Sequence, residues 1–198
     1  MQLVAEHIAC QRGGREVFAG LSFSVTAGEA LLVTGPNGVG KSSLLRQVAG
    51  LLRLAAGRLS LKGGADAVIG EQAHYLGHQD AVKPALTVAE NLNFWTDYLG
   101  GSGNPATALK TVGLGALAGL PAAYLSAGQK RRLSIARLIT VKRPIWLLDE
   151  PASALDAGAQ TEFAALMERH LRGGGLILAA THGAIGLKRS RRLRLGAA

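Results

Sequence analysis

The apolar positions change rhythm along the chain, and each rhythm predicts a different element. The first forty residues read as strands and tight turns. EVFAGLSFSV, Glu16 to Val25, carries alternating bulky apolar residues, and Ala27 to Glu29 marks a turn. ALLVTG, Ala30 to Gly35, is a short unbroken apolar run that suits a strand buried on both faces of a parallel sheet. It runs into a glycine-rich loop and then a helical pattern, SSLLRQVAGLL, before GRLSLKG (Gly57 to Gly63) returns to strand-like alternation.

From about Thr87 to Ser126 the pattern is mostly helical. TVAE, Thr87 to Glu90, has the spacing of a capping box, and GGSGNP, Gly100 to Pro105, is a flexible break. The last third reads strand, helix, strand: PIWLLDE, then DAGAQTEFAALMERHL with Asp156 as N-cap, then GLILAATH. This alternation predicts an α/β core on a mainly parallel sheet, with a helical insertion between its halves.

Composition bounds the reading. At 198 residues, with 48% apolar and 18% charged residues, the chain is long enough for one domain with a substantial core and is not of a disordered type. No apolar run reaches 18 residues, so no transmembrane helix is expected. The N-terminus lacks the pattern of a signal peptide, which points to the cytoplasm. The single cysteine, Cys10, is expected to be small and half-buried. The formal charge of +9 favours anionic partners: nucleotide, nucleic acid or the inner face of a membrane. The sharpest cluster, Lys188 to Arg194, is either a solvated final strand or tail, or a contact for acidic headgroups or a membrane partner. No aromatic residue interleaves it to stack on bases, so nucleic acid is not an expected partner.

GPNGVGKSS (Gly35, Pro36, Asn37, Gly38, Val39, Gly40, Lys41, Ser42, Ser43) matches the phosphate-loop spacing. Glycines let the backbone wrap phosphate oxygens with its N–H groups inward. Lys41 can reach the β- and γ-phosphates, and the Ser42 hydroxyl can ligate Mg²⁺, which prefers oxygen. A strand before the loop and a helix after it are what anion binding at a helix N-terminus demands.

LLDEP, Leu147 to Pro151, ends an apolar strand with two carboxylates. Asp149 suits a Mg²⁺ ligand, directly or through water, and Glu150 suits the residue that orients or deprotonates the attacking water. His182, closing GLILAATH, either caps the strand or donates a hydrogen bond to charge developing on a γ-phosphate. A second anion-binding helix end stands at LSAGQKRRLSIARL, where Ser126 can cap the helix and Gly128 leaves its backbone bare. Two such ends cannot easily serve one nucleotide from one chain. The simplest resolution is a two-fold, head-to-tail homodimer, in which the Ser126–Gly128 end of one subunit closes over the γ-phosphate held by the other. Hydrolysis removes that bridge and lets the halves separate.

Five motifs in this order resemble the ATP-binding subunit of an ABC transporter over nearly the whole chain. GPNGVGKS resembles Walker A, LSAGQ the signature, WLLDE Walker B, SALD (Ser153 to Asp156) the D-loop, and His182 the switch histidine. The resemblance implies a P-loop ATPase fold in one domain, residues 1–198, with an antiparallel β subdomain and a helical signature subdomain at about 87–138. It implies ATP and Mg²⁺ as cofactors, with Ser126, Gly128 and Gln129 as nucleotide contacts. Ala127 stands where the family usually has glycine, which is acceptable at negative φ. At the Q-loop, YLGHQDAVKPALT puts His78 at the usual glutamine position with Gln79 beside it; Gln79 is taken as the metal contact, with His78 as the alternative. Where the family has an adenine-stacking aromatic, this chain has Arg12, whose guanidinium can stack on a base or stay solvated.

GHQ…KPALTVAENLNFW and the short chain resemble most closely the cytochrome c maturation branch, the ATP-binding subunit of the so-called haem exporter. That resemblance implies an integral membrane permease and haem-handling membrane proteins as partners. It places the ATPase peripherally on the cytoplasmic face of the inner membrane and ties hydrolysis to haem export or to release of a haem-loaded chaperone. The alternative is another small exporter, for lipid or lipoprotein. In the family, a groove near Gln79 to Trp95 receives a permease helix; Phe94 and Trp95 either contact it or pack the helix core. A soluble ATPase acting on DNA or ribosomes would need a coiled-coil insertion or a second cassette, and a small-metabolite kinase would leave LSAGQ unexplained.

Overall fold

A computed structural model describes residues 1–64 and 68–196. The elements run β1 (Gln2–Arg12), β2 (Arg15–Thr26), β3 (Ala30–Thr34), α1 (Lys41–Val48), β4 (Ala56–Lys62), β5 (Ala73–Leu76), α2 (Val88–Tyr98), α3 (Pro105–Thr111), α4 (Ala127–Thr140), β6 (Ile145–Asp149), α5 (Ala157–Arg172), β7 (Leu176–Ala180) and β8 (Arg191–Arg194). They divide into two compact units. One comprises Met1–Gly77, Pro144–Pro151 and Leu166–Ala198; the other comprises His78–Arg143 and Ala152–Ala165.

The first unit holds both sheets. A wholly parallel sheet has the order β5-β6-β7-β3-β8, and a three-stranded antiparallel sheet has the order β2-β1-β4. β6 and β7 are buried at every residue, as continuous apolar runs must be when both faces are covered. Their Ile145, Leu147, Leu176 and Leu178 form one core with Leu44, Leu45 and Val48 of α1 and with Leu3, Ile8 and Val25 of the antiparallel sheet. The alternation in Glu16–Val25 becomes β2, an edge strand whose Leu21, Phe23 and Val25 pack on the core, with Val25 fully buried. Cys10, expected half-buried, is wholly buried in β1. The basic run Lys188–Arg194 ends as the exposed edge strand β8, parallel to β3.

α1 stops at Val48, short of the helical pattern that runs to Leu52. Gly50 takes φ 73°, and the Leu51 N–H donates to the Arg46 carbonyl, a Schellman ending that turns the chain away.

In the second unit α2 opens with the expected capping box: the Thr87 hydroxyl accepts from the Glu90 N–H, and the Glu90 carboxylate accepts from the Thr87 N–H at 2.8 Å. Past Thr111 the predicted helical stretch breaks into 3₁₀ turns, Gly115–Leu117 and Ala122–Tyr124, among Gly113, Gly119 and Pro121. α4 also begins with a capping box, in which Ser126 and Gln129 satisfy each other's backbone N–H groups. Asp156 caps α5 by accepting from the Ala159 N–H at 2.8 Å. No helix among the described residues is long and apolar enough to cross a membrane.

Candidate functional site

In the parallel sheet of the first unit, β3, β6 and β7 lie side by side, so their C-terminal ends open on one edge, where ligands of such sheets bind. The chain leaves β3 into the loop Gly35–Gly40 and enters α1 at Lys41. Gly40 takes φ 106°, and a Cβ there would stand 2.5 Å from Val17 of the β1–β2 hairpin. Only glycine meets both demands. The α1 N-terminus has no side-chain cap, which leaves its N–H groups directed toward the loop.

Lys41 is buried, and its Nζ donates to the carbonyls of Gly35 at 2.8 Å and Pro36 at 3.0 Å and lies 3.2 Å from His182 Nε2. A phosphate seated in the loop would take those protons with a stronger, charged acceptor. Ser42 Oγ donates to Asp149 Oδ1 at 3.0 Å, and the Tyr75 hydroxyl approaches Asp149 Oδ2 at 3.4 Å. Asp149 is almost wholly buried. Burial pushes the Tyr75 phenol up, against the opposing hydrogen bond from Arg46. Tyr75 therefore stays a neutral donor toward the carboxylate.

Glu150 turns the chain sharply, with φ 47°, and its N–H donates to the Ala180 carbonyl. A non-glycine residue in that conformation is strained, as is common at active sites. The turn sends its carboxylate to His182, with Oε1 3.6 Å from Nε2. His182 is half-exposed at the end of β7. The first unit thus brings together Lys41, Ser42, Asp149, Glu150 and His182 from three parts of the sequence.

The donor set fits Mg²⁺. A carboxylate and a hydroxyl meeting at 3.0 Å are hard oxygen ligands, and Mg²⁺ completes its shell with phosphate and water. Among the described residues no group of three or more His, Cys, Asp or Glu forms a metal cage. Ser42 and Asp149 would hold the ion with the nucleotide.

Arg12 is exposed at the end of β1, paired across Gly13–Gly14 with Arg15. The same hairpin brings Val17 and Phe18 against Gly40.

In the second unit Ser126, Gly128 and Gln129 form the first turn of α4. Ala127 opens the helix without a positive φ, so alanine is compatible there. Gly128 is held by contact: a Cβ would stand 2.7 Å from the Ala154 carbonyl oxygen. Arg132 NH2 donates to Asp156 Oδ2 at 2.6 Å, a second tie between α4 and the Ser153–Asp156 segment. The Asp156 carboxyl is held below its ordinary value, first by the Ala159 N–H and further by Arg132. His78 and Gln79 are both exposed in the segment that opens this unit.

Sequence reasoning missed two features. Tyr75 reaches Asp149 because β5 and β6 are paired, which no local pattern reveals. Gln129 spends its Oε1 on the cap of its own helix; the S-x-x-Q spacing could have found this.

The family model for ABC transporters matches residues 18–153. A protein of Nitrobacter winogradskyi named "Cytochrome c biogenesis ATP-binding export protein CcmA" is 60% identical over 200 residues, covering 100% of each chain. The protein of the same name from Bradyrhizobium diazoefficiens is 60% identical over 198 residues, covering 99% of this chain and 98% of its own. Among solved structures, a putative ABC transporter ATP-binding protein from Pyrococcus furiosus superposes with TM-score 0.84 at 21% identity, covering 98% of both chains. A structure described as the ATP-binding subunit of an ABC transporter gives TM-score 0.88 at 24% identity over 98% of this chain and 86% of its own. At those identities the structural likeness speaks to fold alone, and both folds agree with the α/β layout above.

Proposed function

Because the chain belongs to the ABC transporter family of ATP-binding domains, we propose that it is the ATPase subunit of a membrane complex for c-type cytochrome biogenesis. It works as a head-to-tail homodimer whose composite sites hydrolyse ATP. The observation that carries the ATPase reading is the convergence of Lys41, Ser42, Asp149, Glu150 and His182 at one sheet edge. The cytochrome reading is supported by relatives 60% identical over full length whose name states that role.

In this reading the Gly35–Ser43 backbone and Lys41 bind the triphosphate. Ser42 and Asp149, with Gln79 or, as the alternative, His78, would hold Mg²⁺, which would supply charge neutralisation on the phosphates. Glu150 takes a proton from the water that attacks the γ-phosphorus, and the β–γ bridging oxygen leaves with its bonding electrons on ADP. His182 donates a hydrogen bond to the γ-phosphate as charge develops. Ser126, Gly128 and Gln129 of the second chain close the same phosphate, and Arg12 lies on the base side. The whole chain acts as one ATP-binding domain, with the helical subdomain inserted in its core.

The partners are an integral membrane permease, docked near Gln79 to Trp95, and haem-handling membrane proteins. The subunit sits on the cytoplasmic face of the inner membrane, and hydrolysis drives haem export or release of a haem-loaded chaperone. The test is native co-purification of the tagged chain from membranes in mild detergent, with a visible spectrum. A permease together with a haem-binding membrane protein supports the reading. A permease with lipid- or lipoprotein-handling partners and no haem keeps the ATPase and overturns the cytochrome role.

A further inference from the structure

Arginine 131 is the largest side chain in the fully buried set, an unusual place for a guanidinium. Its NH1 donates to Asp80 Oδ1 at 3.1 Å, with side-chain exposures of 2% for the arginine and 20% for the aspartate. One turn further along α4, Ser134 Oγ donates to the Asp80 carbonyl at 2.7 Å. Positions 131 and 134 share a helix face, so α4 grips one residue by both its side chain and its backbone. The neighbouring residues are held as firmly from α2. Trp95 Nε1 donates to the Ala81 carbonyl at 3.2 Å, and Asn91 accepts from the Lys83 N–H at 2.7 Å and donates to the Lys83 carbonyl at 2.9 Å. Ala81 sits at φ 47°, a conformation an alanine keeps only when its surroundings impose it.

None of these bonds caps or extends α4, whose own end is satisfied by Ser126 and Gln129. Their common effect is to tie the segment 80–83 to two helices, Asp80 to the helix that starts with the signature and Ala81 and Lys83 to α2. The two residues immediately before the grip, His78 and Gln79, are exposed.

We propose that Arg131, Asp80 and Ser134 are positioning residues for ATP hydrolysis: they lock the loop bearing His78 and Gln79 to α4, so that the loop and the Ser126–Gly128 turn move as one body. The proposal rests on the ATPase reading above. A loop set by this grip keeps residues 78 and 79 in register with the signature turn. Releasing it lowers the rate of the chemical step without weakening nucleotide binding, which belongs to the Gly35–Ser43 loop.

The test compares the full-length chain with Ser134→Ala and with the double variant Asp80→Leu, Arg131→Met, which replaces the buried pair by apolar groups, a change often neutral for stability. The measurements are kcat and KM for ATP, affinity for a fluorescent nucleotide without metal, melting temperature, and amide exchange of the 78–83 segment. The expected result is faster exchange at 78–83, unchanged metal-free nucleotide affinity, and a fall in kcat of about tenfold to a hundredfold in the double variant. Ser134→Ala shifts exchange and kcat the same way to a smaller extent, and carries the test if the double variant does not fold. Arg131→Lys, which keeps the charge, recovers part of kcat. Unchanged kcat despite faster exchange overturns the proposal, as does a loss of activity that only follows a loss of folded protein. A parent chain that neither binds nor hydrolyses ATP overturns the ATPase reading instead.

Discussion

An ideal Cβ at Gly128 would stand 2.7 Å from the Ala154 carbonyl oxygen, a backbone atom that cannot swing aside. Gly128→Ala therefore pushes α4 from the Ser153–Asp156 segment. The expected cost is about 1–3 kcal/mol in a thermal or denaturant melt, together with reduced ATP hydrolysis. Ala127, one residue earlier, meets no such demand, which is why an alanine is accepted there and would not be at 128. His170 offers a separate test by pH. Its ring stacks on Trp146 with centroids 3.9 Å apart, and burial lowers its pKa below the ordinary 6.5, against the pull of the Leu176 and Pro144 carbonyls. Between the folded and unfolded values the unfolded chain binds more protons, so stability falls as pH drops below about 6.5 and levels off below the folded pKa. Urea melts across this window should show that slope, and His170→Phe should flatten the part that belongs to this residue.

Two helices of the second unit begin with the same device and separate structure from chemistry. Thr87 with Glu90 caps α2, and Ser126 with Gln129 caps α4. Replacing either cap with alanine is expected to cost about 1 kcal/mol by denaturant melt. Only Ser126→Ala should also lower the hydrolysis rate, because only that turn faces a nucleotide in the proposed dimer. Equal losses of activity in the two variants would reduce Ser126 to a structural cap. At this scale the sequence was readable wherever the signal is local. TVAE, Ser126 and Asp156 announce their helix starts through spacing alone. The end of α1 was misjudged because the apolar pattern continues past Gly50, whose positive φ ends the helix first. The alternation of Glu16–Val25 reads correctly as a strand, while its edge position depends on pairing that no local pattern records.

Across the molecule, the phosphate loop, the acidic pair and the final histidine were legible as separate motifs, and the parallel sheet explains why they meet. β3, β6 and β7 are neighbours running in one direction, so Lys41, Asp149, Glu150 and His182 emerge at one edge. Strand order leaves no local trace, and neither does the Asp80–Arg131 pair, whose partners are separated by 51 residues. The basic run Lys188–Arg194 was ambiguous for the opposite reason, since charge obscured a short strand that β3 organises. In the proposed dimer two chains share each nucleotide. The most direct measurement is the molar mass of Glu150→Gln by light scattering on a sizing column with saturating MgATP. This variant keeps the binding loop and loses the group that accepts the water proton, so it is predicted to hold ATP, hydrolyse it very slowly and run as a dimer that falls apart when ATP is replaced by ADP. A variant that binds ATP yet stays monomeric under these conditions would contradict the shared site.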